Sequence, residues 1–276
     1  MSSRLQTPRV PGPAGALAVQ DEGDAAAPVV FMTHSVLSSR MMWDAQAALL
    51  LSRGFRVVRA DTRGHGASDA APAPYAMDGL VADTVAVLDA LKIDKAHYVG
   101  LSLGCMSGFG LGILHPDRVR SLVLCDGRAD MPPAAAAVWP ERIAAARQQG
   151  CAALAVGTTE RWFGKAFLEA NPAVAERFNA TVGSTSTDGF IGCAQAIMGL
   201  DYLGRVAEIK APTLLLVGAN DGPLPGVMQH LQSLIAGSKL EVIADAGHLP
   251  NIDQPAAFNA ALLKHLSAQT QKSPHE

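Results

Sequence analysis

The most informative segment of the sequence reads Ala96-His97-Tyr98-Val99-Gly100-Leu101-Ser102-Leu103-Gly104-Cys105. Its first residues are typical of a buried strand, and residues 105–114 carry apolar side chains at helical spacing. A serine flanked by two glycines at such a junction predicts a sharp strand-to-helix turn that holds the Ser102 hydroxyl clear of the sheet. The free N–H groups and the positive end of the following helix then point to the place where an oxyanion would form. Ser102 is therefore the candidate nucleophile.

Short apolar runs alternate with helical patterns along most of the chain, which predicts an α/β fold with a mostly parallel sheet flanked by helices. The predicted strands are residues 29–33, 56–61, 96–100, 121–126, 213–218 and 240–244. The predicted helices are residues 46–53, 77–91, 105–114, 224–236 and 255–266. Residues 1–28 are expected to form a small antiparallel β entry, and the polar tail after residue 267 is expected to fray.

Residues 131–203 interrupt this alternation, because they contain Ala-rich helical patterns at 134–149, 152–163 and 172–181 but no convincing strand. The interpretation favoured here is a helical cap inserted over the sheet. The core is then formed by residues 1–130 and 204–276. The alternative is that these helices are simply further core.

His248 is the candidate general base, because it directly follows the last predicted strand. The carboxyl ends of parallel strands lie at one edge of a sheet, so His248 is expected to lie beside Ser102. His34 also ends a predicted strand, but its neighbours indicate an oxyanion loop.

The histidine needs a carboxylate partner, and the chain order Ser-Asp-His favours Asp221, which follows the strand predicted at 213–218. Asp126 also ends a predicted strand and stays a competitor for this role. Asn220 lies beside Asp221, but an amide lacks the charge that stabilises an imidazolium.

Acyl transfer also needs two N–H groups directed at the developing oxyanion. The backbone of Leu103, the residue after the nucleophile, is the first candidate donor. The second is expected in the loop after residue 33, from either Ser35 or Val36, with Val36 favoured.

The composition narrows the class of partner. The chain has 276 residues, of which 49% are hydrophobic and 17% charged, as in an ordinary globular protein. A net charge of -3 supplies no basic surface for nucleic acid, so a small-molecule substrate is expected. The sequence has no apolar run of the roughly 20 residues that a membrane span needs, and prolines and glycines interrupt the first 15 residues where a signal peptide would be apolar. Four cysteines without paired spacing indicate buried reduced thiols and a cytoplasmic location: Cys105, Cys125, Cys151 and Cys193.

Several segments together resemble the α/β-hydrolase family over nearly the whole chain, and within it they are most similar to 3-oxoadipate enol-lactonases. The segments are Met42-Trp43-Asp44, Asp61-Thr62-Arg63-Gly64-His65-Gly66, Gly100-Leu101-Ser102-Leu103-Gly104, His115-Pro116-Asp117-Arg118-Val119, Arg161-Trp162-Phe163, Gly218-Ala219-Asn220-Asp221 and Ala246-Gly247-His248-Leu249-Pro250-Asn251-Ile252. The resemblance implies an α/β-hydrolase fold and hydrolysis of an enol-lactone or similar small ester in aromatic catabolism. Acyl transfer of this kind requires no metal or organic cofactor.

An enol-lactone of that type carries a carboxylate, and burial of this anion requires a cation. Arg128 and Arg161 are the candidate partners, with a solvated or structural arginine as the alternative for each. Trp162 is expected to form an apolar wall of the site, with core packing as its alternative. The rival functions are a C–C bond hydrolase or perhydrolase on the same triad, which would release a different product, and a non-catalytic receptor, which would not turn over p-nitrophenyl acetate. The sequence leaves the oligomeric state open.

Overall fold

The computed structural model describes residues 8–270, and it contains one sheet of eight strands within them. The strands are β1 (Arg9–Gly12), β2 (Gly15–Glu22), β3 (Val29–Thr33), β4 (Arg56–Ala60), β5 (Ala96–Leu101), β6 (Val119–Cys125), β7 (Thr213–Gly218) and β8 (Lys239–Ile243). Their order in the sheet is β1-β2-β4-β3-β5-β6-β7-β8. Strands β3 to β8 pair in parallel, and β1 and β2 add an antiparallel edge. The predicted mostly parallel sheet is confirmed.

The helices are numbered in chain order. Those that flank the sheet are α1 (Asp44–Ser52), α2 (Met77–Ala90), α3 (Leu103–Leu114), α10 (Leu224–Leu234), α11 (Pro250–Asp253) and α12 (Pro255–Thr270). The helices between β6 and β7 are α4 (Pro133–Ala136), α5 (Trp139–Gln149), α6 (Ala155–Phe163), α7 (Lys165–Ala170), α8 (Pro172–Ser184) and α9 (Thr187–Met198). Short 3-10 turns occupy Arg40–Trp43, Pro116–Arg118, Cys151–Leu154 and Leu203–Glu208.

Three of the parallel strands are buried from end to end, as expected for strands covered by helices on both faces. Every residue of β3, β5 and β7 is buried. Helix α3 is buried almost throughout and packs against β5 and β6. Because α3 follows β5 directly, its amino terminus is fixed at the carboxyl edge of the sheet.

The cap segment, residues 131–203, contains helices α4 to α9. Its two ends meet, since Asp130 and Asp201 form an antiparallel bridge and the Tyr202 N–H donates to the Ala129 carbonyl at 2.7 Å. The sequence pattern did not indicate α7 and α9. Helix α9 reads TDGFIGCAQAIM, whose glycines and β-branched residues have low helix propensity, so tertiary packing stabilises it.

Backbone atoms of the cap segment approach the core closely at Gly64 and Gly189. A Cβ atom placed on Gly189 would lie 2.3 Å from the Gly64 Cα, a distance that no side chain tolerates. The two glycines therefore allow the turn after β4 to lie directly against α9.

Two expectations concern the ends of the chain. The antiparallel β entry is formed by β1 and β2, whereas residues 1–7 lie outside the described residues. Helix α12 continues through Ser267 to Thr270, so the expected fraying does not start there, and residues 271–276 are outside the described part. No helix within residues 8–270 has both the length and the apolar character of a membrane span.

Candidate active site

Ser102 occupies the turn between β5 and α3 in a backbone conformation that serine rarely adopts. Its φ is 56° and its ψ is −109°, a strained geometry of the kind that costs about 1–3 kcal/mol. The turn is possible because Gly100 and Gly104 lack side chains: a Cβ on Gly100 would lie 2.2 Å from the Gly104 carbonyl oxygen, and one on Gly104 would lie 2.4 Å from Thr33 Oγ1. The sequence analysis predicted this role for the glycines.

His248 and Asp221 form a buried pair at the same edge of the sheet. His248 Nδ1 and Asp221 Oδ2 are 2.6 Å apart. If Nδ1 carries the proton in this hydrogen bond, Nε2 is the nitrogen left to act as a base. His248 Nε2 is buried and has no hydrogen-bond partner among residues 8–270, and both His248 and Ser102 line one cavity. Burial alone would raise the pKa of Asp221, but His248, together with Arg161, holds it below its ordinary value.

Asp126, the competing acid, is also near this pair but bonds differently. Its Oδ1 accepts the Gly218 N–H at 2.8 Å, and its side chain is fully buried. Burial, followed by the nearby charge of Asp221, raises the pKa of Asp126 well above its ordinary value. The structure therefore brings Asp221, not Asp126, into hydrogen-bonding contact with His248.

Of the three candidate oxyanion donors, the N–H groups of Leu103 and Val36 have no hydrogen-bond acceptor among the described residues. Leu103 is the first residue of α3, so its N–H has no partner inside the helix. In the loop after β3, the Ser35 N–H contacts Met42 Sδ at 3.5 Å, whereas the Val36 N–H bonds to none of the described residues. Val36 also lines the cavity with Ser102. Of the two candidates in this loop, Val36 has the available donor.

Two buried histidines hold the Val36 loop in place. His34 Nε2 accepts the Thr62 N–H at 2.9 Å, and His65 Nε2 accepts the Leu37 N–H at 3.0 Å. Burial lowers the pKa of His34 to about 4 and that of His65 to about 3. Both rings are therefore neutral at pH 7, and each can accept through one nitrogen.

The cavity above Ser102 has a volume of about 740 Å³ and lies between the sheet edge and the cap segment. The cap residues that line it follow helical spacing: Leu154, directly before α6, and Gly157, Thr158 and Arg161 on one face of α6 stand at i, i+3, i+4 and i+7. Trp139 and Arg142 on α5 form a second part of the lining. The sequence analysis missed these two residues, although their i, i+3 spacing marks a shared helix face.

Three arginines line the cavity, and their partners differ. Arg128 donates from Nε to the Asp130 carbonyl at 2.6 Å and from Nη2 to Asp130 Oδ1 at 3.2 Å. Arg142 donates to Thr158 Oγ1 at 3.0 Å, and its guanidinium lies 5.1 Å from the centre of the Trp139 ring.

Arg161 makes no hydrogen bond or ion pair within residues 8–270. Its side chain is solvent-accessible, yet the protein around it displaces enough bulk water to lower its pKa, while Asp221 opposes that shift. Burial, followed by the charge of Arg161, lowers the pKa of Arg142 to about 10. Arg161 is therefore a cation available to a ligand.

The prediction that Trp162 forms a wall of the cavity is wrong. Trp162 is fully buried and packs edge-on against Phe163 and Phe178, with ring centres 6.4 and 6.1 Å away. It follows Arg161 by one position, and one residue turns a helix face by about 100°, so Trp162 points away from the cavity. Its backbone still contributes to the site, because the Trp162 carbonyl accepts the His248 N–H at 2.8 Å.

One group of potential metal ligands is found among the described residues, and it consists of Asp126, Asp221 and His248. Their ligand atoms lie within 4.8 Å of one another. Two of its members, Asp221 and His248, are already hydrogen-bonded to each other.

Residues 28–255 match the family described as the alpha/beta hydrolase fold, which covers most of the chain. The chain belongs to the α/β-hydrolase family.

Relatives of this α/β-hydrolase include enol-lactonases. It is 34% identical over 242 residues to 3-oxoadipate enol-lactonase 2 of Acinetobacter baylyi, with 87% of this chain and 89% of that protein covered. The solved enol-lactonase of Burkholderia xenovorans LB400 superimposes with a TM-score of 0.90 at 32% identity, covering 94% of this chain and 100% of that one. A hydrolase from Pseudomonas aeruginosa PA01 gives a TM-score of 0.87 at 38% identity, covering 91% and 94%. These similarities support a hydrolase activity.

Proposed function

We propose that this α/β-hydrolase cleaves a small ester or lactone by two-step acyl transfer, with Ser102 as nucleophile, His248 as general base and Asp221 as the acid that orients it. The observation that carries the proposal is the 2.6 Å hydrogen bond between His248 and Asp221 in the cavity that Ser102 also lines. A strained serine at a helix amino terminus and a histidine with a free Nε2 form the arrangement that activates a hydroxyl group.

In the first step, Ser102 Oγ attacks the carbonyl carbon while His248 Nε2 takes the hydroxyl proton. The tetrahedral intermediate collapses, the bond to the leaving oxygen breaks, and His248 returns the proton to that oxygen. In the second step, water attacks the acyl-enzyme, its proton passes to Nε2 and then to Ser102, and the acid is released. Asp221 stays ionised throughout and stabilises the imidazolium.

The backbone N–H groups of Leu103 and Val36 stabilise the oxyanion of both intermediates. Their positions are fixed by α3 and by the loop after β3, which His34 and His65 hold in place. The two N–H groups therefore need little reorganisation when negative charge develops on the oxygen. A single donor of this kind is typically worth about 2.7–4 kcal/mol of transition-state stabilisation.

The substrate we favour carries a carboxylate. Arg161 is accessible in the cavity and lacks a protein partner among the described residues, and Arg142 adds positive charge beside it. Arg128 lines the same cavity, but Asp130 occupies its guanidinium, which makes it the weaker candidate. The lactone substrates implied by the names of the two enol-lactonases fit this chemistry.

The test is a panel of carboxylated lactones, neutral lactones and p-nitrophenyl acetate with the purified protein and its Ser102→Ala variant. We expect turnover by the wild type, and a fluorophosphonate should label Ser102. Residual activity of the variant above about one per cent of wild type would contradict the nucleophile assignment. Release of a ketone or dienoate would indicate C–C bond cleavage, and absence of any turnover would favour a receptor.

Three further expectations stay predictions: a cytoplasmic location, no nucleic-acid partner and no cofactor. All four cysteines are buried free thiols, in keeping with a reducing compartment.

A further inference from the structure

A second carboxyl group lies behind the candidate triad. Asp126 follows β6, adopts φ 47° and is fully buried. The Gly218 N–H donates to its Oδ1 at 2.8 Å. Its Oδ2 is also buried, and no N–H or O–H of residues 8–270 donates to it. An ionised carboxylate in this position would leave one oxygen unsolvated and unbonded, which is costly.

Asp126 and Asp221 are close neighbours, since each has a carboxyl oxygen within 4.8 Å of one on the other, and the charge of Asp221 contributes to the raised pKa of Asp126. Two buried carboxyl groups so near to each other disfavour simultaneous ionisation, so we expect the pair to hold one proton. Asp221 has the hydrogen bond to His248 and the nearby charge of Arg161, both of which favour its anion.

The surroundings of Asp126 favour its neutral form. Besides Asp221, its charged or titratable neighbours are Asp253, the buried thiols of Cys105 and Cys125, and His248, whose ring lies within 4.8 Å. Burial raises the pKa of both thiols well above the ordinary value, so they are neutral. Neither Asp253 nor the thiols stabilise a negative charge on Asp126, and the Nδ1 hydrogen bond of His248 goes to Asp221 instead.

We propose that Asp126 is a protonated carboxylic acid whose O–H donates a hydrogen bond to Asp221, and that it is a positioning residue for the triad. Asp221 then receives hydrogen bonds from both sides, from His248 and from Asp126, which fix its carboxylate plane and share its charge. The proton stays on Asp126 throughout the reaction. The kinetic part of this inference rests on the proposed function, whereas the protonation state does not.

Infrared spectroscopy tests the protonation state without any substrate. At about pH 8 the wild type should show the carbonyl absorption of a protonated carboxylic acid, and Asp126→Asn should lose it. Asp253→Asn is the matched control, because burial raises the pKa of Asp253 to about 6 and this group is ionised at that pH. A spectrum in which Asp126→Asn changes no such band would overturn the proposal.

Kinetics test the positioning role. Asp126→Ala removes the donor and should lower kcat by about ten- to hundredfold with KM little changed, the size expected for a hydrogen bond to a charged group. Asp126→Asn keeps an N–H donor and tolerates the positive φ, so it should restore most of that loss. The acidic limb of its kcat/KM profile should stay within about half a pH unit of wild type, because no charge has been removed.

If Asp126 were ionised, the pH profile of the Asp126→Asn variant would differ. Its removal would take an anion away from the imidazole and shift the acidic limb to lower pH by about one unit or more. That shift, or full kcat in Asp126→Ala, would refute the positioning role. Circular dichroism of each variant checks folding, and the infrared result holds even if Ser102→Ala shows that the proposed function is wrong.

Discussion

Replacement of Arg161 by alanine should separate substrates that carry a carboxylate from those that do not. Arg161 lines the cavity and is unpaired among the described residues, so a carboxylate of the substrate is its natural partner. A hydrogen bond to a charged group is worth about 1.5–3 kcal/mol, which corresponds to an increase in KM of roughly ten- to 150-fold for the carboxylated lactone. A neutral short-chain ester makes no such bond, and its KM should change less than about twofold.

The assay compares kcat/KM for a carboxylated lactone and for p-nitrophenyl acetate in the same preparation. Arg161 also stabilises the charge of Asp221, so the variant is expected to lose some turnover with both substrates. This shared loss cancels in the ratio of the two kcat/KM values, and the ratio alone reports on recognition. Arg128→Ala is the matched control, because Asp130 already holds that guanidinium.

Two results would refute this reasoning. If the ratio of the two kcat/KM values were unchanged in Arg161→Ala, the carboxylate of the substrate would not bind to Arg161. An equal change in Arg128→Ala would mean that the discrimination depends on the overall charge of the cavity. If neither variant altered the ratio, a general esterase or lactonase for uncharged substrates would be the better description.

Three further predictions concern the acid, the packing and the response to pH. Asp221→Asn should lower kcat by about 10⁴-fold and Asp126→Asn by much less, and stopped assays that gave the reverse order would move the triad acid to β6. Gly189→Ala should reduce the free energy of unfolding in urea by about 1–3 kcal/mol, because its Cβ meets the backbone of the turn after β4; Gly204→Ala, where space is open, is the control and should be near neutral. His65 has a folded-state pKa of about 3, below its unfolded value, so the unfolded chain binds more protons and stability falls as pH drops from about 6.5 towards 3. His65→Gln should reduce the slope of the unfolding free energy against pH by about 1.4 kcal/mol per pH unit. Urea unfolding at several pH values measures this slope, and equal slopes for wild type and variant would contradict the prediction.

Residues that depend on strand order could be placed from the sequence. Ser102, Asp221 and His248 each follow a predicted strand, and parallel strands bring their carboxyl ends to one edge, so their proximity follows from the alternation of strands and helices. The strand β7 has the predicted bounds, because a run of four apolar residues, 214–217, between turn residues leaves little choice.

Residues that depend on the rotation of a helix could not be placed in this way. The pattern around Arg161 marks a face of α6, but periodicity does not tell which face meets the cavity and which meets other cap helices. Trp162 was therefore assigned to the wrong side, and Arg142 was missed. The contact between Asp126 and Asp221 has a similar origin, since it depends on the distance between two turns that lie 95 positions apart in the chain.

The hydrogen bond from His248 to the Trp162 carbonyl has a consequence for how this enzyme could acquire new substrates. The helix that carries Arg161, the proposed ligand contact, ends with the peptide group that supports His248, the proposed base, so under this proposal selectivity and turnover share one stretch of backbone. A chimaera that imports α6 from another α/β-hydrolase without its own histidine loop would start with a misplaced His248. Side-chain replacement along the face of α6 avoids this penalty, and it is the route by which we expect both natural divergence and laboratory redesign to proceed.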